Sequence, residues 1–267
     1  MDKLREELEA SGLDVFAPIK VSWYNDYLNQ LGLATDSTKY LEKAGEAHAS
    51  GEPAPFALAP LPDFGRGGDA LGLIIGNSKA MWPCFLRWLK GKGNSVKDPV
   101  DTFAEEHIRA AVGGFAGACR YDIFWASDMS PERLVDMNRA SLVSGLCYFS
   151  DEMFLSIHPK FGSWVAFRAV VVIDMPANDL GPAPAHLPPL LSEEEAAAAR
   201  SAFSEALEAS KEVDMSVDGM PLHLAKKWEK MRDCVSLGRE HKYSALQSEY
   251  HYVKDPALLA RALAEQV

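Results

Sequence analysis

The stretch that decides the fold is residues 164–173, which read WVAFRAVVVI. Its second half, Val170 to Ile173, is an unbroken run of β-branched residues. An apolar run without alternation is typical of a central strand that is covered on both faces. We therefore predict that residues 164–173 form a buried strand in the middle of a sheet.

The neighbouring segments predict the rest of this sheet. Residues 154–158 precede the strand, and the proline and glycine of the intervening residues 159–162 predict the turn of an antiparallel hairpin. Residues 71–76 and 121–125 are further short apolar runs that predict strands. Because helix signals alternate with these runs, the predicted class is α+β with a mixed sheet flanked by helices.

Capping residues and glycine or proline stops predict five helices. They are expected at residues 2–11, 98–112 and 130–145, and from residues 192 and 255 onward. Asp98 is expected to cap the second helix, which should end at Gly113 and Gly114. Ser192 and Glu195 have the spacing of a capping box at the start of the fourth.

Composition and charge exclude several classes of function. The net charge of −11 argues against a nucleic-acid or membrane-surface partner, since both need cationic surface. No run approaches the roughly 20 apolar residues of a membrane span, and the first residues lack a secretory pattern. The four cysteines are scattered without a C-x-x-C pair, which predicts no zinc site or disulfide framework and favours the reducing cytoplasm.

The chain is expected to form a single domain over residues 1–267. Residues 35–68, rich in Ala, Gly, Pro and Ser, are predicted to be an insertion or long loop. Residues 175–191 carry five prolines and are predicted to run extended over the surface. Residues 192–267 are predicted to form a C-terminal helical part that completes the binding pocket.

Catalytic motifs are otherwise scarce. The chain has no phosphate-binding loop, nucleophile elbow or zinc-binding helix motif. The unusual stretch is residues 156–164, in which a histidine, a lysine and two aromatic residues surround a turn. Such a turn fits the wall of a binding site or a well-packed hairpin corner, and composition alone favours the corner.

Six collinear motifs resemble those of the CblC family of cobalamin-processing proteins. The turn and strand at residues 157–171 are similar to the hairpin signature of that family. The other similar motifs lie at residues 21–25, 71–81, 98–107, 231–235 and 243–244. Together they extend from about residue 15 to the C-terminal helix.

This resemblance implies a flavin reductase- or nitroreductase-like α+β fold whose cavity binds cobalamin with the lower base detached from cobalt. It implies an enzyme that removes the upper axial ligand: cyanide reductively, with reduced FMN or FAD, and alkyl groups by transfer to glutathione. No protein-bound metal is expected, because the corrin holds the cobalt. Cobalamin, glutathione and a downstream cobalamin acceptor protein are the expected partners, and a homodimer is left open.

The resemblance also assigns site residues. Arg168 and Arg232 match arginines that contact cofactor or glutathione and are the predicted catalytic residues, because a guanidinium binds carboxylates bidentately and favours a thiolate. Without the resemblance, Arg168 fits an ion-paired strand residue and Arg232 a solvated helix residue. The cofactor-binding residues, called the predicted wall below, are Leu142, Gly145, Tyr148, Phe149, Ser156, Ile157, His158, Phe161, Gly162, Trp164 and Phe167.

One departure from the family pattern leaves the reaction open. Active members carry a His-x-x-Gly motif, and the matching residues are Leu142, Val143, Ser144 and Gly145. Leucine can neither donate a hydrogen bond nor carry charge. Two alternatives to the enzyme therefore stay open: a flavin-dependent reductase of the same fold that acts on another small molecule, and a cobalamin carrier without chemistry.

Overall fold

The computed structural model describes residues 1–33, 58–92, 96–128, 130, 132–213 and 219–265. At its centre lies a four-stranded sheet. Its strand order is β1 (Val15–Lys20), β2 (Ala70–Asn77), β6 (Ala166–Pro176) and β3 (Tyr121–Trp125). A separate two-stranded sheet contains β4 (Tyr148–Ser150) and β5 (Leu155–Ile157). The run at residues 164–173 thus forms most of β6, which has a partner on each side, as predicted.

The α+β class is confirmed, but two details of the predicted sheet are wrong. All pairs among the described strands are antiparallel, so the sheet is not mixed. Alternating helix and strand signals give the order of elements along the chain, whereas strand direction depends on how each connection returns. The predicted hairpin is also absent, because β5 pairs with β4. Both edges of β6 are already occupied by β2 and β3.

Helices cover both faces of the central sheet. Their bounds are α1 (Asp2–Ala10), α2 (Val21–Gln30), α3 (Met81–Lys92), α4 (Pro99–Ala116), α5 (Met137–Val143), α6 (Glu193–Ser210), α7 (Leu222–Asp233), α8 (Ala245–Val253) and α9 (Pro256–Glu265). No helix in these described ranges is long and apolar enough to cross a membrane.

Alternate residues of β6 build two hydrophobic layers. Val171 and Ile173 pack with residues of α1, α3, α4 and α9 on one side, called the α4 face. Val170 and Val172 pack with residues of α2 and α5 on the other, called the α5 face. A third cluster joins the β4–β5 sheet to α6 and α7. Burial on both faces explains why the strand lacks polar alternation.

Two of the predicted helix ends are confirmed. Gly12 adopts φ +78° just after α1 ends at Ala10, a left-handed conformation that favours glycine. At the start of α6, the Ser192 hydroxyl accepts a hydrogen bond from Glu195 N, and the Glu195 carboxylate accepts one from Ser192 N. Both ends depend on contacts within a few residues, which the sequence specifies directly.

Three other helix predictions need correction. Asp98 adopts φ 43° and makes no capping hydrogen bond through its side chain. Helix α4 continues through Gly113 and Gly114 to Ala116, and the glycine with positive φ that follows its end is Gly117, at φ 58°. The helix predicted over residues 130–145 begins only at Met137, after a single turn at Ser130. Asp136, in an extended conformation, caps it by accepting from Arg139 N.

The two predicted connections behave differently. Residues 34–57 of the first lie outside the described residues. Its described end enters the core, with Leu58 and Leu61 each 2% exposed on the α5 face. In the second, β6 extends to Pro176 and a short 3-10 turn, Asn178–Leu180, follows. Residues 181–191, called the strap below, then run without regular structure to α6.

Candidate functional site

Arg168 is the extra residue of a β-bulge in β6. Ile75 of β2 opposes Ala169, and the next residue, Gly76, opposes Phe167, so Arg168 has no partner on β2. A bulge redirects a side chain, and here it directs Arg168 towards the α4 face. Arg168 Nε donates to Asn77 Oδ1 at 2.7 Å, and Nη1 lies 3.4 Å from Asp101 Oδ1. The strand ion pair that the residues alone allow is therefore present.

Arg168 lies in a small cleft between the sheet and α8, called the arginine cleft below. Its lining consists of Asn77, Met81, Trp82, Val100, Arg168, Tyr243, Gln247, Tyr250, His251 and Lys254. The Tyr243 hydroxyl is buried and has no hydrogen-bond partner among the described residues. Leaving a buried hydroxyl unpaired costs about 1–3 kcal/mol, so a ligand that accepts or donates there would be favoured.

His251 is recessed in the arginine cleft among cations. Burial, followed by the charges of Arg232, Arg168 and Lys254, holds the pKa of His251 well below its ordinary range. The imidazole is therefore neutral at physiological pH, and the positive charge belongs to the arginines and the lysine. Sequence reasoning missed His251, because a single histidine in a helix carries no motif. Its only signal is its tertiary surroundings.

Arg232 is buried behind the cleft. It is 6% exposed, so the solvated helix position that the residues alone allowed is wrong. Its Nε and Nη2 donate to the Ser163 carbonyl oxygen at 2.9 and 2.6 Å. The guanidinium carbon lies 4.4 Å from the ring centroid of Trp164 and 4.9 Å from that of Tyr243. Arg232 thus holds Ser163 and Val165, which follow the turn at residues 158–162, against α7. It also adds positive charge beneath the cleft.

A cavity of about 1020 Å³ adjoins the arginine cleft. The two share Val100, Tyr250 and Lys254. Polar groups from the first turns of α4, including Asp101 and Thr102, line one side, and apolar residues of α9 line the other. A cavity of this size that combines apolar and polar lining is typical of a small-molecule site.

One part of the predicted wall forms a tightly packed corner. Ile157, Phe161 and Trp164 are each 5% exposed or less. Gly162 adopts φ +59°, and a Cβ there would overlap the Leu237 carbonyl oxygen. The close approach at Gly162 is therefore to the backbone of the chain itself.

His158 is held by the same corner. Its Nδ1 accepts hydrogen bonds from Lys160 N at 3.0 Å and Phe161 N at 3.2 Å. Burial lowers the pKa of His158 to about 4. An imidazole that accepts two backbone amides is neutral, so His158 acts as an acceptor that shapes the turn.

The remaining wall residues lie around α5, the β4–β5 sheet and the α5 face. Leu142, Phe149 and Ser156 are buried, whereas Gly145 and Tyr148 are half-buried. The Ser156 hydroxyl donates to Asn138 Oδ1 at 2.8 Å. Phe167 packs on the α5 face.

The structure therefore divides the predicted site residues between two places. None of the wall residues is among those that line the arginine cleft or the 1020 Å³ cavity. Arg168 lines the same cleft as His251, and the charges of Arg168 and Arg232 both lower the pKa of His251.

Comparison with known proteins gives one significant curated relative by sequence. No family model matches the chain. The chain is 27% identical over 185 residues to the Danio rerio protein named cyanocobalamin reductase / alkylcobalamin dealkylase. The match covers 63% of this chain and 62% of that protein, so it spans less than two thirds of the relative's length.

Solved structures share the fold over nearly the whole chain. The crystal structure of the C. elegans B12-trafficking protein CblC matches with a TM-score of 0.64 and 18% identity, covering 100% of this chain and 94% of that one. Two epoxyqueuosine reductase structures match with TM-scores of 0.52 and 0.51 at 12% and 13% identity, each over 97% of this chain and over 70% and 69% of theirs. These likenesses confirm the nitroreductase-like α+β fold. The resemblance to the CblC family is therefore confirmed by a curated sequence relative and by a shared fold.

Proposed function

We propose that this chain is an enzyme that binds cobalamin as its substrate and removes the upper axial ligand. The name of the sequence relative describes such an activity for that protein. The observation that carries the proposal is the arginine cleft, where Arg168, Arg232 and Lys254 surround a neutral imidazole in a protein of net charge −11. Such a local excess of positive charge selects an anionic co-substrate.

Glutathione is the anionic co-substrate that we propose for dealkylation. The half-exposed Lys254 and the Arg168 guanidinium would bind its carboxylates. The same positive charge favours ionisation of a thiol, since opposite charge nearby stabilises the thiolate. The thiolate sulfur then bonds to the alkyl carbon as the cobalt–carbon bond breaks, and the electron pair of that bond stays with cobalt. The unpaired Tyr243 hydroxyl suits a hydrogen bond to a group at this site.

Reductive decyanation needs an electron donor, and reduced FMN or FAD is the donor that we propose. The nitroreductase-like fold is the support for this part of the proposal. We further propose a cytoplasmic protein, which its four unpaired cysteines favour. A homodimer and a downstream acceptor protein stay predictions.

We propose that one CblC-like domain carries the site and that residues 192–267 complete it. Tyr243, Gln247 and His251 come from the C-terminal part and line the arginine cleft. Residues of α9 line the adjoining cavity.

A cobalamin carrier without chemistry is the second candidate. Leu142 occupies the position of the family histidine and is 6% exposed. A buried leucine offers neither a proton nor a hydrogen bond at that place, which favours the carrier.

An anaerobic visible-absorption titration of methylcobalamin with the protein, repeated with glutathione, tests these candidates. The enzyme gives a blue shift of the corrin bands on binding and then a change to the spectrum of reduced cobalt when glutathione is added. The carrier gives the first change without the second. A protein that causes no shift in excess contradicts both, and tight flavin binding in that case indicates a flavin-dependent reductase.

A further inference from the structure

The strap is fixed at its ends and free of hydrogen bonds between them. Upstream, Ala177 N donates to the Asp69 carbonyl oxygen at 2.9 Å, and downstream the capping box holds Ser192. Residues 182–191 make no hydrogen bond to another described residue. Prolines at positions 182, 184, 188 and 189 remove four backbone donors from this segment.

Side-chain packing holds the strap at three points. A Cβ at Gly145 would lie 3.2 Å from Pro184 Cγ and 3.4 Å from Pro184 Cβ, so the two residues are in contact. The His186 ring meets the Tyr27 ring edge-on, with centroids 5.4 Å apart. Leu190 and Leu191 pack in the cluster that contains Tyr148. The strap therefore covers the predicted wall at Gly145 and reaches Tyr148.

Movement of the strap away from Gly145 breaks no hydrogen bond within the part of the chain that the structure describes. Residues 181–186 are exposed to solvent, so lifting them uncovers little additional surface of the strap itself. The proline content keeps the segment extended in both positions, which limits the entropy that it gains when released. Segments with few buried contacts and solvated backbone are the ones that open most readily.

We propose that the strap is a displaceable lid over the predicted cobalamin wall. The proposal rests on the proposed function: the amide rim of a corrin reaches the backbone of Gly145 only after Pro184 has moved away. Corrin entry then requires strap opening, and the strap closes again on the empty wall after the corrin has left.

A disulfide between Gly145→Cys and Pro184→Cys tests the lid, in a Cys147→Ala background that removes the neighbouring thiol. The separation of 3.4 Å between the Gly145 Cβ position and Pro184 Cβ is close to that of natural disulfides, about 3.5–4.5 Å. Stopped-flow absorption would follow methylcobalamin binding to the oxidised and the reduced form of this one protein. We expect binding to the oxidised form to be at least about tenfold slower, since the competent open population is removed.

Each single-cysteine variant in the same background, treated with the same oxidant, is the matched control and should bind like its reduced form. Hydrogen–deuterium exchange at residues 145–148 should be slower in the oxidised double variant than in the reduced one. Equal binding by both forms overturns the lid. If the unmodified protein causes no corrin shift, the proposed function itself fails and the lid fails with it.

Discussion

The arginine cleft and the predicted wall differ in what holds them in place. In the cleft, Arg168 is fixed by Asn77 and Asp101, and Arg232 behind it by backbone carbonyl groups. The wall at Gly145 is instead covered by the strap, whose residues 182–191 make no hydrogen bond to described residues. The charged part of the candidate site is therefore preorganised by hydrogen bonds. The part proposed for the corrin is covered by the strap, which we propose is displaced when the corrin binds.

The two regions also differ in chemistry, although β6 contributes a residue to each of them. On β6, Phe167 packs on the α5 face, and the bulge at Arg168 sends the next side chain towards the α4 face. The cleft thus contains cationic side chains, whereas the predicted wall consists mainly of aromatic and aliphatic side chains. The following variants test this difference between the cleft and the wall.

The largest effect is expected at Gly162, in the corner that joins the two regions. Gly162→Ala should lower the free energy of unfolding by more than about 3 kcal/mol, because it combines overpacking with a strained backbone. Urea unfolding measures the change. Gly117→Ala is the matched control, since Gly117 has φ +58° with nothing within 4 Å of its Cβ position. It should cost about 1 kcal/mol, and equal losses at the two positions would contradict the close packing at Gly162.

Arg232→Ala should give the next largest loss of stability, about 2–4 kcal/mol. The substitution leaves the Ser163 carbonyl oxygen without its donor and opens a gap between Trp164 and Tyr243. Chemical denaturation checks the value, and Arg232→Lys, which keeps a cation and a donor, should recover part of it. A loss below about 0.5 kcal/mol would place Arg232 among ordinary surface residues.

Arg168→Met should impair the function of the cleft without changing the wall, because it removes a positive charge from the cleft alone. Stability should fall by about 1–3 kcal/mol, because the buried Asn77 Oδ1 loses its donor, whereas the ion pair with the 40% exposed Asp101 adds little. The KM for glutathione should rise about 10- to 100-fold, the effect of losing a charged hydrogen bond. Steady-state dealkylation with varied glutathione measures it. The exposed Arg200→Met is the control, and an unchanged KM would remove Arg168 from glutathione binding.

The smallest expected effect is a pH dependence of the free energy of unfolding, caused by His158 in the turn at residues 158–162. The folded pKa of His158 is about 4, below its ordinary value of about 6.5, so the unfolded chain takes up the proton first. Stability is complete above pH 6.5 and falls as the pH drops towards 4, by less than about 1.4 kcal/mol per pH unit because the ring is partly solvated. His158→Asn keeps an acceptor and should flatten this slope in urea unfolding at several pH values. A residual slope of the same sign is expected from His251, and an unchanged slope would show that His158 does not contribute.

Local signals in the sequence predicted the parts of the fold that depend on local contacts. The apolar run of β6, the stop at Gly12 and the capping box at Ser192 are specified within a few residues. The pairing of β5 with β4 is not, because a strand chooses its neighbour according to which edges are free. A single Ser-Pro signal at Ser130 likewise yields one turn, and Asp136 begins the helix instead.

The candidate site was likewise predictable from the sequence only in part. The resemblance supplied Arg168 and Arg232, and the structure brings both near His251. His251 itself and the unpaired hydroxyl of Tyr243 follow from the docking of α8 on the sheet, which no short motif records. The strap was predicted as an extended surface path, but its contact with Gly145 depends on where that path crosses α5 and β4.

The backbone crossing at Gly162 has a consequence for synthesis of the chain. Gly238 packs against the backbone of Phe161 and Gly162. The turn at residues 158–162 is therefore covered by a segment that is synthesised roughly 75 residues later. At ribosomal rates of about 5–20 residues per second, this delay is about 4–15 s. Trp164 is 1% exposed in the folded protein. Until α7 and the loop after it have been synthesised, Trp164 lacks the neighbours that bury it. A slower ribosome over this stretch lengthens the time for which this apolar side chain stays uncovered.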